Sequence, residues 1–145
     1  MADFDLRNVE FRSDGMTDSL TTSMSPALFV ENVKREIATA AREARELTMV
    51  TVALAPTGFK SLAIYQEALI AIAFAIQDGL RGGDFFGRIS DSGFWILLRT
   101  DESGAAGVIN RLDLPHHGNL EIHTVARRYS GLSEWIERID QLYFS

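Results

Sequence analysis

The sequence predicts an α/β sandwich: a central mixed sheet that carries an antiparallel hairpin, with helices packed on its faces. Three observations lead there. Segments with apolar residues at helical spacing alternate with β-prone runs along the chain. The run "TMVTVALA", residues 48–55, is apolar almost throughout and rich in β-branched residues, as suits a strand covered on both faces. Two short β-prone runs, 85–89 and 94–99, are joined by Ser90-Asp91-Ser92-Gly93, a row of turn formers that reads as a hairpin.

The elements follow in order. Residues 1–17 are a polar lead-in, and the folded domain is expected over 18–145. Ser25-Pro26 opens a helix, with Ser25 as the cap and Pro26 in the first helical position. Leu28, Phe29, Val33, Ile37 and Ala40 recur at helical spacing as far as Leu47. The strand 48–55 ends at Pro56-Thr57-Gly58, and a second helix runs from about Ser61 to Leu80, apolar on most sides. After the hairpin, Thr100-Asp101-Glu102-Ser103 starts a helix to Leu112, with acids in its first turn. "LEIHTVA" is a strand. Residues 131–144 form a last helix with Leu132, Trp135, Ile136, Ile139 and Leu142 on one face.

Composition narrows the function. The 145 residues carry a net charge of −6, which argues against a non-specific nucleic-acid binder, since that needs a basic face. There is no cysteine, so disulfides and thiolate metal sites are excluded and a cytoplasmic protein is expected. The opening residues lack the pattern of a signal peptide. The longest apolar run, Ala68 to Ile76, falls short of a membrane span, so no membrane partner is expected. His116, His117 and His123 have no carboxylate at ligand spacing, and no metal or other cofactor is expected. Trp95 and Trp135 lie in apolar patterns and read as core.

Six fragments in order resemble the GGDEF family of diguanylate cyclase domains. "DSLTTSMSPALF" resembles the family's opening motif through Asp18, Leu20, Thr21 and Phe29. "VALAPTGFK" resembles the strand that ends in Asp-x-Asp-x-Phe-Lys, with Phe59-Lys60 retained. Leu69, Ile72-Ala73, Ile76 and Leu80-Arg81 match the helix that precedes the signature, and Arg88 matches the Arg two positions before it. Asp140 matches an Asp of the last helix. In this register Gly82-Gly83-Asp84 is not the signature; that falls on Ser90-Asp91-Ser92-Gly93-Phe94. The resemblance implies a nucleotide-cyclase-like sandwich.

It also implies that the cyclase chemistry is lost. The family draws metal-binding carboxylates from positions that are Ala55 and Ser92 here; its signature Glu is Gly93, and its two glycines are Ser90 and Asp91. The expectation is therefore no enzyme and no catalytic residue. The family's inhibitory site, Arg-x-x-Asp with five residues before the signature, matches Arg81-Gly82-Gly83-Asp84, and Arg111 falls at the position of a helper arginine. Guanidinium groups pair with phosphate oxygens and with the guanine O6/N7 edge, and an Asp accepts from guanine N–H groups. The resemblance thus implies a cyclic di-GMP receptor. Leu-Arg-x-x-Asp also serves as a plain helix end and strand start. The alternative is a protein-interaction or dimerisation module that binds no nucleotide.

Overall fold

A computed structural model describes residues 4–43, 45–127 and 134–138. The sequence's helix starts are made by side chains. Ser25 Oγ accepts from the Leu28 amide at 3.2 Å, and α1 follows over Pro26–Glu43. Ser61 Oγ accepts from Ile64 N at 3.2 Å ahead of α2, Leu62–Gly79. Asp101 Oδ1 accepts from Gly104 N at 2.8 Å and opens α3, Glu102–Leu112. Each cap satisfies a helix N–H that has no partner within its own helix. The strands are β1 (Thr48–Leu54), β2 (Phe85–Ser90), β3 (Gly93–Leu98) and β4 (Leu120–Ala126).

The sheet order is β2-β3-β1-β4, and each neighbouring pair is antiparallel. This corrects the expected mixed sheet. β1 and β2, joined through α2, run the same way, but β3 lies between them; β3 and β4, joined through α3, are likewise separated by β1. Two interleaved split β-α-β units leave no parallel neighbours.

Alternation along β1 divides the core between two layers. Val50, Val52 and Leu54 face α2 and α3, where Leu69, Ile72 and Ile76 are buried against them. Met49 faces the other way, with Trp95 and Leu97 of β3, Phe29 and Val33 of α1, and Trp135. Each such fully buried large side chain contributes about 1.5–3 kcal/mol. Residues 134–138 are helical, and Trp135 Nε1 donates to the Val125 carbonyl at 3.1 Å. Leu132, Ile139, Asp140 and Leu142 lie outside the described residues.

The lead-in contains a 3-10 turn at Leu6–Asn8. It packs on α2 through buried Val9, through Phe4, whose ring centre lies 5.1 Å from that of Tyr65, and through Glu10 N, which donates to Gln66 Oε1 at 2.8 Å. The chain then covers the open edge of β2. Arg88 N donates to the Met24 carbonyl at 3.0 Å, and Met24 pairs with Gly87 in a parallel bridge. Gly87 is needed there because a Cβ would come within 2.8 Å of the Phe29 side chain.

By length and composition α2 could span a membrane, which qualifies the reading drawn from the longest apolar run. Only Glu67 and Asp78 are charged along it. Its buried face of Tyr65, Ala68, Leu69, Ile72, Ala73 and Ile76 makes it a core helix of this fold.

Candidate functional site

Two turns at opposite ends of β2 hold the residues that the sequence singles out. The first joins α2 to β2. Leu80 caps α2, its amide bonded to the Ile76 carbonyl at 3.1 Å, and Arg81-Gly82-Gly83-Asp84 turns the chain, with Asp84 N donating to Arg81 O at 3.1 Å. Gly83 has φ +94°, the region that costs a side-chain-bearing residue most. A Cβ on Gly83 would also lie 2.5 Å from Arg99 Nη1.

The groove beside this turn has a volume of about 460 Å³. Arg81, Gly82, Gly83 and Asp84 line it together with Thr22, Ser23, Met24 and Gln77, among others. Arg81 is exposed, and its side chain has no hydrogen bond or ion pair among the described residues. Asp84 Oδ1 accepts from Arg99 N at 3.0 Å, which fixes the carboxylate, and Oδ2 has no hydrogen bond among the described residues. Arg111 does not line the groove. Its Nη2 donates to the Gly79 carbonyl at 3.3 Å, steadying the end of α2 behind the turn.

Two residues that the sequence did not single out support the turn from behind. Arg99 Nε donates to Glu36 Oε2 at 2.9 Å, its Nη2 pairs with Glu36 Oε1, and Arg45 stands 3.9 Å away. The Glu36 hydrogen bonds raise the Arg99 guanidinium above its ordinary pKa. Glu36 is charged yet buried at 9% exposure, which marks it as paired. Its place on the inner face of an amphipathic helix was the available signal.

The second turn, Ser90 to Phe94, closes the β2–β3 hairpin, and a register shift marks a bulge between Arg88 and Ser90. Arg88 is fully buried beneath it. Nη2 donates to Asp91 O at 3.0 Å, Nη1 reaches Glu10 O at 2.5 Å and both oxygens of Asp18, and the Phe11 ring centre lies 5.0 Å from Cζ. Asp18 Oδ2 also accepts from Thr21 N at 2.9 Å and Thr21 Oγ1 at 2.7 Å. Asp18, Thr21 and Arg88 are thus one buried network that anchors the lead-in to the hairpin.

Ala55 and Ser92 are neighbours, because Leu54 N donates to the Ser92 carbonyl at 2.9 Å. Ala55 is tied by Asn119, whose carbonyl accepts from Ala55 N at 2.8 Å. Beyond them Tyr65 OH donates to the Leu54 carbonyl at 2.6 Å, and its ring packs edge-on to Phe59. His123 does meet a carboxylate, Glu121, at 3.0 Å on β4. No group of three metal-ligating side chains occurs among the described residues. A larger groove of about 880 Å³ lies between the end of α1 and the start of α3, lined by Arg45, Glu46, Asp101 and Arg127 among others; it contains none of the sequence-predicted site residues.

Comparison of the sequence with protein-family models and with curated proteins finds no match. Comparison of the structure does. The GGDEF domain of DgcB from Caulobacter crescentus, solved in complex with cyclic di-GMP, superposes with a TM-score of 0.75 at 16% identity, over 91% of this chain and 90% of that one. The diguanylate cyclase SiaD from Pseudomonas aeruginosa, solved with its activator SiaC, gives 0.74 at 19% identity, over 86% of this chain and 55% of that one. A microbial GGDEF domain studied for its interaction with cyclic di-GMP gives 0.72 at 18% identity, over 88% and 89%. The chain has the fold of GGDEF domains.

Proposed function

We propose that this GGDEF-fold chain is a catalytically inactive signalling domain that binds cyclic di-GMP through the Arg81–Asp84 turn. The observation that carries the reading is the arrangement of that turn. An exposed arginine whose side chain has no partner among the described residues, and a carboxylate with one oxygen held by the Arg99 amide, line one groove on a backbone shaped by Gly83. Arg81 suits a phosphate or the guanine O6/N7 edge, and Asp84 Oδ2 suits guanine N–H donors. Arg111 contributes at a distance, by holding the end of α2. Cyclic di-GMP in complexes of structurally similar domains supports this choice of ligand.

The inactive reading rests on the hairpin turn. Joining two nucleotides through a metal-assisted attack needs carboxylates at the metal. Ala55, Ser92 and Gly93 supply none, and the carbonyl of Asp91 is engaged by Arg88.

Titration calorimetry with cyclic di-GMP tests the receptor. Binding is expected in the full chain and not in Arg81→Ala, whose exposed side chain contributes little to the fold. Absence of heat at tens of micromolar ligand overturns the receptor reading. Incubation with GTP and Mg²⁺ tests the other half, and cyclic di-GMP formed above the blank overturns it.

A further inference from the structure

Among the described residues three non-glycines have a positive φ: Thr22, Asp113 and His116. Asp and His are enriched in the left-handed region, whereas a β-branched residue there is an outlier. Thr22, at φ +61°, is that outlier. Its neighbours hold it in place. Thr22 N donates to the Asp18 carbonyl at 3.0 Å and Asp18 N to the Ser23 carbonyl at 2.8 Å, while Arg88 pairs with the Asp18 side chain. Packing does not call for a threonine, because Thr22 is exposed, and glycine adopts this conformation without strain. Backbone strain of this kind collects at functional sites. Thr22 lines the groove of the Arg81–Asp84 turn.

The hydroxyl of Thr22 has a fixed sense. Oγ1 donates its hydrogen to the Thr21 carbonyl at 2.6 Å, so toward a ligand it can only accept. Asp84 accepts too, but its Oδ1 is held by the Arg99 amide, and guanine brings two donor groups, N1–H and the 2-amino group. The second of these needs another acceptor. Several acceptors of the groove are already engaged: the Ser23 hydroxyl with Thr21 Oγ1 at 2.5 Å, the Met24 carbonyl with Arg88 N at 3.0 Å, and the Arg81 carbonyl with Asp84 N at 3.1 Å. Gln77 also lines the groove, but its amide both donates and accepts and so selects no base edge. We propose, resting on the receptor reading, that Thr22 is the specificity residue of the groove. Its Oγ1 accepts from the guanine 2-amino group, and the strained backbone is kept because glycine would lose that contact.

Calorimetry of the full chain with cyclic di-GMP and with its inosine counterpart, which keeps N1–H and lacks the 2-amino group, is the test. The parent is expected to bind the guanine ligand about fivefold more tightly. Thr22→Val keeps the side-chain shape without the acceptor, and Thr22→Gly removes the side chain. Both are expected to bind the two ligands equally, while Gln77→Ala keeps the parent's ratio. Thr22→Gly is also expected to melt about 2–4 °C higher as the strain is released. Equal affinity of the parent for the two ligands, or a preference that survives in Thr22→Val, overturns the assignment of Thr22 and leaves the receptor standing. A lower melting temperature in Thr22→Gly overturns the strain. No binding of either ligand by the parent overturns the receptor reading, and Thr22's role with it.

Discussion

Arg88 and Asp18 lie 70 positions apart in sequence, yet Arg88 Nη1 is 3.1 Å from Asp18 Oδ2, and their side chains are 0% and 1% exposed. A pair this deep does not fasten the fold by attraction alone, because desolvation offsets much of the gain. Losing one partner is another matter. Asp18→Ala leaves a buried guanidinium uncompensated and is expected to cost about 3–5 kcal/mol. Asp18→Asn keeps an acceptor and should cost less. Urea denaturation with fluorescence from the two tryptophans measures both, and a midpoint shift no larger than for an ordinary surface substitution would refute the anchoring role.

Gly82 and Gly83 are neighbours with different duties. A Cβ on Gly82 meets nothing within 4 Å, whereas Gly83 combines φ +94° with contact to Arg99. Gly83→Ala is expected to destabilise by about 1–2 kcal/mol from the backbone alone, and to pull Arg99 off Glu36. Gly82→Ala should stay near the parent. Thermal melts of the two variants separate these outcomes; equal losses would contradict the turn geometry.

Thr51 sits in the middle of β1 with its hydroxyl buried and without a hydrogen-bond partner among the described residues. Valine has nearly the same shape and no polar atom to leave unpaired. Thr51→Val is expected to stabilise the fold by roughly 1 kcal/mol, read as a higher melting temperature. A fall in melting temperature would mean that the hydroxyl is satisfied in solution.

Asp14 Oδ1 accepts from Thr17 N at 2.8 Å and from Met16 N at 2.9 Å. These bonds favour the ionised form and hold the Asp14 carboxyl below its ordinary 3.8. The folded value is depressed, so the stabilisation is complete above the ordinary value and is lost as pH falls through the folded one. Acidification is therefore expected to release the 14–17 turn, seen as movement of the Met16 and Thr17 amide resonances. Asp14→Asn keeps an acceptor oxygen and should remove the pH step.

Residues close together along the chain were readable in advance. Ser25 was legible as a helix cap and Ser61 and Asp101 as helix starts, because helix initiation depends on the next few residues, and Ser90 to Gly93 turn because those residues favour turning. Arg81 to Asp84 were likewise legible as a helix end meeting a strand. Pairings between distant segments were not. Asp18 and Arg88 were each visible as retained residues, but the ion pair between them depends on the lead-in crossing the hairpin. Arg99 and Glu36 lie 63 positions apart and carry no local sign of each other.

The amino-acid order alone thus set the starts of α1, α2 and α3, the strands, the Ser25 cap and the residues of the RGGD turn, all through interactions within a few positions. The antiparallel interleaving of the sheet, the groove that Thr22–Met24 line together with Arg81, and the Arg99–Glu36 support beneath Gly83 arose only on packing. Each depends on which apolar faces bury together, and that is a property of the whole chain.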